Sequence, residues 1–343
     1  MTAQWLVRTN GDPLGAVRLL LRRVWEQLRL HGMLAMPDGA FATGTAGLLT
    51  DPLRLAEVNP FTPLMVTNSA ALIPDLLSSH AGERLAAVLR PCELRVLVEM
   101  AKHDGFALEE LFTITVDCLA TLSIEEYRWR ARRHGSSGAV TDEALQYARL
   151  GGIVPYRYRA ACQICPAQAA QGADLNIGVL GLPVRESILV TVQDETTARR
   201  VRLDSLGDAA PAESLLRERD HSLQRLTERR SRTRERISHG LAESLPSGPS
   251  AIAALLERCC DCGTCLTVCP IDVVDPVRPA GDGKYLTRDV ARRLISCSGC
   301  GVCEDACPSH LPLTAMFCHV RDGLSASTGY QPGRSVREPV PIA

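Results

Sequence analysis

Near the start of the chain, Val17, Leu20, Leu21, Val24 and Leu28 recur at steps of three, one, three and four residues. That spacing draws one apolar stripe along a helix. A helix is therefore predicted over residues 14 to 31, with Gly32 as its C-terminal stop. "MLAM" ahead of Pro37 is a short unbroken apolar run and predicts a buried strand. Similar runs return in "RLAAVL", "LFTITV", "LNIGVLG" and "SILVTV", and a helical "LRVLVEMAKHDG" follows the first of these. Short buried strands alternating with helices predict an α/β domain with a mostly parallel sheet.

The rhythm changes after residue 205. "AESLLRERDHSLQRLTERRSRTRERISHGLAE" carries only Leu216, Leu223 and Leu226 as a sparse apolar stripe, among five arginines from 229 to 236 and interspersed acidic residues. An RNA-binding stripe is one reading, but no aromatic residue is available to stack a base, and a solvated connecting helix is expected instead. "SLPSGPS" then predicts a hinge. "SAIAALLER", behind the N-cap candidate Ser250, and "TRDVARRLI", from Thr287, predict two helices. Residues 271 to 286 are rich in Pro, Gly and Asp and predict a loop, and "LTAMFCHVRDGL" predicts a closing helix. The expected organisation is an α/β domain over 1–205, a charged connecting helix and hinge over 206–249, an α-helical domain over 250–330 and a tail over 331–343.

Composition narrows the function. A chain of 343 residues with 45% hydrophobic content can fill a real core, and a formal net charge of -1 supplies no global field to recruit nucleic acid or an anionic membrane. "MTAQWLVRTN" lacks the pattern of a secretory leader, and no run approaches the ~20 apolar residues that span a bilayer. A cytoplasmic protein with no membrane span and no nucleic-acid partner is the expectation. Fourteen cysteines, nine of them between 259 and 307, then point to ligands rather than disulfides.

Cys259, Cys262, Cys265 and Cys269 follow C-x2-C-x2-C-x3-C with Pro270 next, and Cys297, Cys300, Cys303 and Cys307 repeat the spacing with Pro308 next. Ligands at every third residue wrap three thiolates around one face of a cubane cluster, and the fourth comes from elsewhere. In two-cluster ferredoxins the last cysteine of each run serves the other cluster. One 4Fe-4S cluster is therefore assigned to Cys259, Cys262, Cys265 and Cys307, and a second to Cys297, Cys300, Cys303 and Cys269. Zinc also takes C-x2-C pairs, but it requires neither the third cysteine nor the closing proline. Helices ahead of both runs favour a helical two-cluster ferredoxin domain over the strand-rich small ferredoxins. Cys260 is expected to be a spectator, Cys318 a core thiol and His310 a surface residue after a ligand loop.

The other half holds four more cysteines of interest. Cys92 and Cys118 each follow a predicted strand, at the rim where open parallel sheets gather ligand-binding groups. "ACQICPAQAAQGAD" supplies Cys162 and Cys165 as a C-x2-C pair. Spacing leaves open whether these are two buried thiols with an unrelated zinc-like pair or the ligands of one cluster. No G-x-G-x-x-G, P-loop or Ser/His/Asp pattern is present, and "TGTAG" is too weak to count.

Taken in order, "LRPCELRVLVEM", "VDC" and "CQICPAQAAQGADLNIGVLG" resemble the beta-subunit family of coenzyme F-420-reducing hydrogenases and formate dehydrogenases, over residues 14 to 205. The resemblance implies a third 4Fe-4S cluster held by Cys92, Cys118, Cys162 and Cys165, beside FAD. It places Asn68, Arg90, Asp117 and Asp174 near the flavin, although the glycine-rich stretch that helps hold FAD in the hydrogenase subunits is not recognisable in "GDPLGAVRLLLRRVW". It also implies an oxidoreductase subunit exchanging electrons between a soluble hydride carrier (deazaflavin coenzyme, NAD(P)H or ferredoxin) and a catalytic partner. That partner would be a formate dehydrogenase, a hydrogenase or a heterodisulfide-reductase-like subunit, and "CPSHLPL" resembles the second cluster loop of electron-transfer subunits in such complexes. A flavin turns a hydride into single electrons, so without FAD the chain would only wire two enzymes together.

Overall fold

Alternation within single strands decides how the α/β part is layered. In β4 (Leu85–Leu89), Ala86 and Val88 enter a core with Val17, Leu20, Leu21 and Val24 of helix α1 (Pro13–Leu28). Leu85, Ala87 and Leu89 enter a second core, with Leu94, Leu97 and Met100 of a helix on the opposite face. The computed structural model from which this is read describes residues 3–38, 44–150, 158–209, 211–244, 259–278 and 287–341.

The remaining strands are β1 (Ala3–Arg8), β2 (Gly32–Ala35), β3 (Gly47–Leu49), β5 (Leu111–Val116), β6 (Leu175–Gly178), β7 (Ser187–Val192) and β8 (Asp208–Ala209). They form one eight-stranded sheet in the order β3-β2-β4-β5-β6-β7-β1-β8. Its centre, β2-β4-β5-β6, is parallel, and antiparallel strands complete both sides. Strand β1 has no counterpart in the sequence reading. "AQWLVR" is only partly buried over most of its length, so it does not announce itself as an unbroken core run.

The helices of this part are α1, α2 (Ile73–Ser79), α3 (Pro91–Asp104), α4 (Ile124–His134), α5 (Ser137–Gln146), α6 (Ala160–Gln163) and α7 (Glu195–Val201). Asp12 caps α1 by accepting from the Gly15 amide at 2.8 Å. The helix ends at Leu28 with Arg29 in the left-handed region (φ 50), ahead of the expected stop at Gly32. The Leu30 amide bonds back to the Trp25 carbonyl and His31 pairs with Arg84, so the turn is complete before Gly32. Gly32 instead opens β2, where a Cβ would stand 2.9 Å from Leu48 Cδ1.

Helix α8 (Glu213–Ser244) falls within the segment expected to be a charged helix, and most of its described residues are exposed or half-buried. It lies against the α/β part with Arg219, Ser222, Leu226 and Arg230 buried, three or four residues apart on one face. The sparse leucine stripe is completed by two buried arginines: Arg219 pairs with Asp117, and Arg230 donates to the Cys162 carbonyl. The segment holding "SAIAALLER" and the hinge lies outside the described residues.

Beyond it come α9 (Thr264–Thr267), α10 (Pro270–Val274), α11 (Thr287–Ile295), α12 (Val302–Asp305) and α13 (Leu313–Thr328). The stretch expected to be a loop thus begins with α10, whose first residue is the proline closing the first cysteine run, a position where a missing N–H costs nothing. Ile271 of α10 packs into the α3 core. The segment expected to form a tail is held as well: the Gly333 amide donates to the Glu99 carboxylate at 2.7 Å, beside the Tyr330 hydroxyl just ahead of that segment, which donates to the same carboxylate at 2.6 Å. Among the described residues no helix is long and apolar enough to cross a membrane.

Candidate metal centres

The two cysteine runs have nearly the same backbone. Gly263 and Gly301, each directly after the second cysteine, take φ values of 67 and 78, and Asp261 and Gly299, one residue ahead of it, take 52 and 71. Two left-handed residues per run turn the chain tightly enough to bring successive cysteines to one side. A short helix follows in each case, and the amides of Cys269 and Cys307 both reach back three residues, to Leu266 and Glu304.

Electrostatic neighbourhoods sort the eight thiols into two sets. Burial pushes Cys265 up, and Cys259, Cys262 and Cys307 add to the effect. Burial likewise raises Cys303 well above its ordinary value, with Cys300, Cys297 and Cys269 adding to it. The last cysteine of each run therefore sits with the first three of the other. Cys269, Cys297, Cys300 and Cys303 line one cavity of about 160 Å³ together with Cys265 of the first set and Arg293, and its remaining walls are mainly apolar. A confined, apolar, thiol-lined space is the environment that the second assigned cluster needs.

In the α/β part, β4 and β5 are parallel neighbours, with Leu89 opposite Thr115. Cys92 and Cys118 follow them at the same end of the sheet, Cys92 in the first turn of α3. The Cys118 amide donates to the Gln168 carbonyl at 2.8 Å and so ties this rim to the loop carrying Cys165. Cys162 sits at Thr121, whose amide and hydroxyl lie 3.4 and 3.2 Å from its sulfur. Cys118 is pushed up to about 12 by burial and by Cys162 and Cys165. All four cysteines line one small cavity of about 20 Å³, together with Arg90, Arg159, Gln168 and Cys300. The donor chemistry suits a cubane, and the surrounding side chains must move outward to seat one.

Among the described residues, no three His, Cys, Asp or Glu side chains come together around a single metal ion. A cubane distributes its thiolates over four irons and spaces them more widely than a mononuclear site does.

The four residues placed near a flavin are not gathered at one site. Asn68 caps a short helical turn through the Ala70 amide at 3.1 Å, and its side chain reaches the Cys300 thiol at the edge of the cysteine cavity. Arg90 donates to the Thr62 and Leu64 carbonyls, both at 2.8 Å, beside the cysteine cavity. Asp117 accepts from the Ala170, Val179 and Leu180 amides and from Arg219 Nη1, all within 2.8 Å. Asp174 accepts from Thr113 and lines a separate groove of about 890 Å³.

The sequence gives no hint of the buried arginines. Arg159 and Arg230 reach the backbone carbonyls of Cys300 and Cys162. Arginine three residues before a cysteine, or within a charged helix, looks like any surface arginine until the chain folds.

An α/β domain joined to a largely helical region with paired four-cysteine loops defines an iron–sulfur protein of the electron-transfer class. Residues 258–311 match the 4Fe-4S dicluster domain family, so the chain carries a two-cluster ferredoxin-type domain at its C-terminal side. Among curated proteins, none matches the chain.

Proposed function

We propose that the chain is an iron–sulfur wiring subunit, docking between two redox enzymes and passing single electrons between them. Cys259, Cys262, Cys265 and Cys307 would hold one cubane, Cys269, Cys297, Cys300 and Cys303 a second, and Cys92, Cys118, Cys162 and Cys165 a third. A cubane supplies one-electron acceptance and release at a potential set by burial, hydrogen bonds to sulfur and nearby charge. The protein's part is to hold the stations close and dry. The observation that carries the reading is that Cys300 and Gly299 line both the four-cysteine cavity of the α/β part and the cavity of the second cysteine run. Those two sites are thus direct neighbours, and the run beginning at Cys259 continues the line outward.

The proposed partners are catalytic oxidoreductase subunits, such as a formate dehydrogenase, a hydrogenase or heterodisulfide-reductase-like subunits. Anaerobic reconstitution tests the relay. About twelve irons and as many sulfides per chain are expected from three cubanes. About eight would leave the α/β set without a cluster, and zinc in place of iron would overturn the proposal. Replacing Cys300 with Ala should abolish electron transfer to the partner.

A flavin-containing subunit, fed by a hydride carrier, is the second reading. The groove lined by Asp174 favours it, since about 890 Å³ falls within the ~300–1,000 Å³ range of small-molecule and cofactor sites. FAD released on acid denaturation would support this reading over the flavin-free one.

A further inference from the structure

Between the two neighbouring thiol sites stands a buried cation, Arg159, which touches both. The Arg159 side chain is 3% exposed. Its Nη1 donates to the Met65 carbonyl at 3.1 Å and pairs with Asp305, and its Nη2 donates to the carbonyl of Cys300. Arg159 also lines the cavity shared by Cys92, Cys118, Cys162, Cys165 and Cys300. Its Nε is buried without a hydrogen-bond partner. A buried guanidinium is costly to desolvate unless negative charge and acceptors surround it. Asp305, with a side chain 38% exposed, supplies one charge at the edge and leaves Nε unanswered. Burial works against the charge on Arg159, yet Cys162, Asp305, Cys300 and Cys92 outweigh it. Arg230, whose Nε is likewise buried without a partner, differs in its other contacts. Its Nη1 meets only the Cys162 carbonyl, it stacks on Tyr158 at 5.6 Å, and burial lowers its pKa.

We propose that Arg159 is a positioning residue shared by the site of Cys92, Cys118, Cys162 and Cys165 and the site of Cys269, Cys297, Cys300 and Cys303, where its charge favours the reduced state. The inference rests on the cluster assignments above. Each added electron makes a thiolate-ligated cluster more negative, so a fixed positive charge in a low-dielectric setting stabilises the reduced form. Standing between both sites, Arg159 makes an electron easier to accept on either side of the gap. Asp305 opposes this effect with its own negative charge beside the guanidinium.

The test is a redox titration of the reconstituted full chain, followed by electron paramagnetic resonance, with iron counted in every sample. Arg159→Gln should shift the reduction equilibrium of the nearest cluster at least tenfold toward the oxidised form, which is about 59 mV for a one-electron couple. Arg159→Lys, which keeps the charge, should recover most of that shift. Asp305→Asn should move the equilibrium the opposite way, and it decides the matter if Arg159→Gln does not fold. Unchanged potentials in Arg159→Gln at full iron content, equal behaviour of the Lys and Gln variants, or a shift toward the oxidised form in Asp305→Asn would each overturn the proposal. A wild-type count of about eight irons would remove the third cluster alone, because the potential of the cluster at Cys297, Cys300 and Cys303 would still report on Arg159.

Discussion

Asp117 shows how one residue can organise a rim without touching its chemistry. Its carboxylate, fully buried next to Cys118, gathers three backbone amides from the segments after Cys165 and β6, and a guanidinium from α8. The loop carrying Cys165, the turn after β6 and the long helix are thereby pinned to the end of β5. Asp117→Ala would leave Arg219 buried without its counter-charge, a change that costs about 3–5 kcal/mol. Thermal or denaturant unfolding of the metal-free chain should show that loss directly. The resemblance places this aspartate near a flavin, and a stability loss that is the same in flavin-free protein would identify its work as structural. The sequence marks Asp117 only as the residue before Cys118. Its four partners come from residues 170 to 219, and only folding brings them together.

At the scale of elements, α3 joins the two halves. From its C-terminal turn, His103 faces Asp275 through Nδ1 at 2.7 Å and the Ser296 hydroxyl through Nε2 at 2.9 Å. A neutral ring donating to the carboxylate and accepting from the hydroxyl satisfies all three groups. Burial lowers the His103 pKa, against the opposing pull of Asp275. The sign follows from linkage: below an unfolded value of ~6.5 the unfolded chain takes up a proton that the folded chain resists. The stabilisation is present above that pH and is lost as pH falls toward the folded value. Melting curves should therefore show stability declining below about pH 6.5, with a flatter profile for His103→Asn. Equal profiles for the two proteins would refute the assignment. Helix α3 itself was legible in the helical run "LRVLVEMAKHDG", although it begins three residues earlier, at Pro91. Its role as a docking surface was not, because the same apolar face serves both the sheet and α10.

Across the whole molecule, the cluster domain is packed into the α/β core rather than tethered beside it. Ile271 is 2% exposed and shares its core with Leu94, Leu97 and Met100 of α3. At Gly301, φ is 78 and an added Cβ would stand 2.3 Å from Ala161 Cβ, so the second cysteine loop lies directly on α6. Ile271→Ala should cost about 2–5 kcal/mol. The loss should appear across the boundary, as faster amide hydrogen exchange in Pro91–Asp104. Unchanged exchange there would mean that the two parts stand independently. Such packing gives an electron relay a fixed distance between stations, which a flexible tether does not.

The sequence by itself determined much of what depends on neighbours along the chain. The C-x2-C-x2-C-x3-C-P spacing set the paired loops, unbroken apolar runs set β2, β4, β5, β6 and β7, and the period of α1 set its buried face. Local rules carry that information, because a turn, a strand or a three-residue ligand spacing is decided by the residues within it. Tertiary structure alone decided which sites adjoin, why a charged helix is half-buried, and where Arg159 stands. Those outcomes depend on contacts across 100 residues or more, such as Arg159 with Asp305 and Asp117 with Arg219. A buried charge finds its counter-charge only when the whole core closes around it.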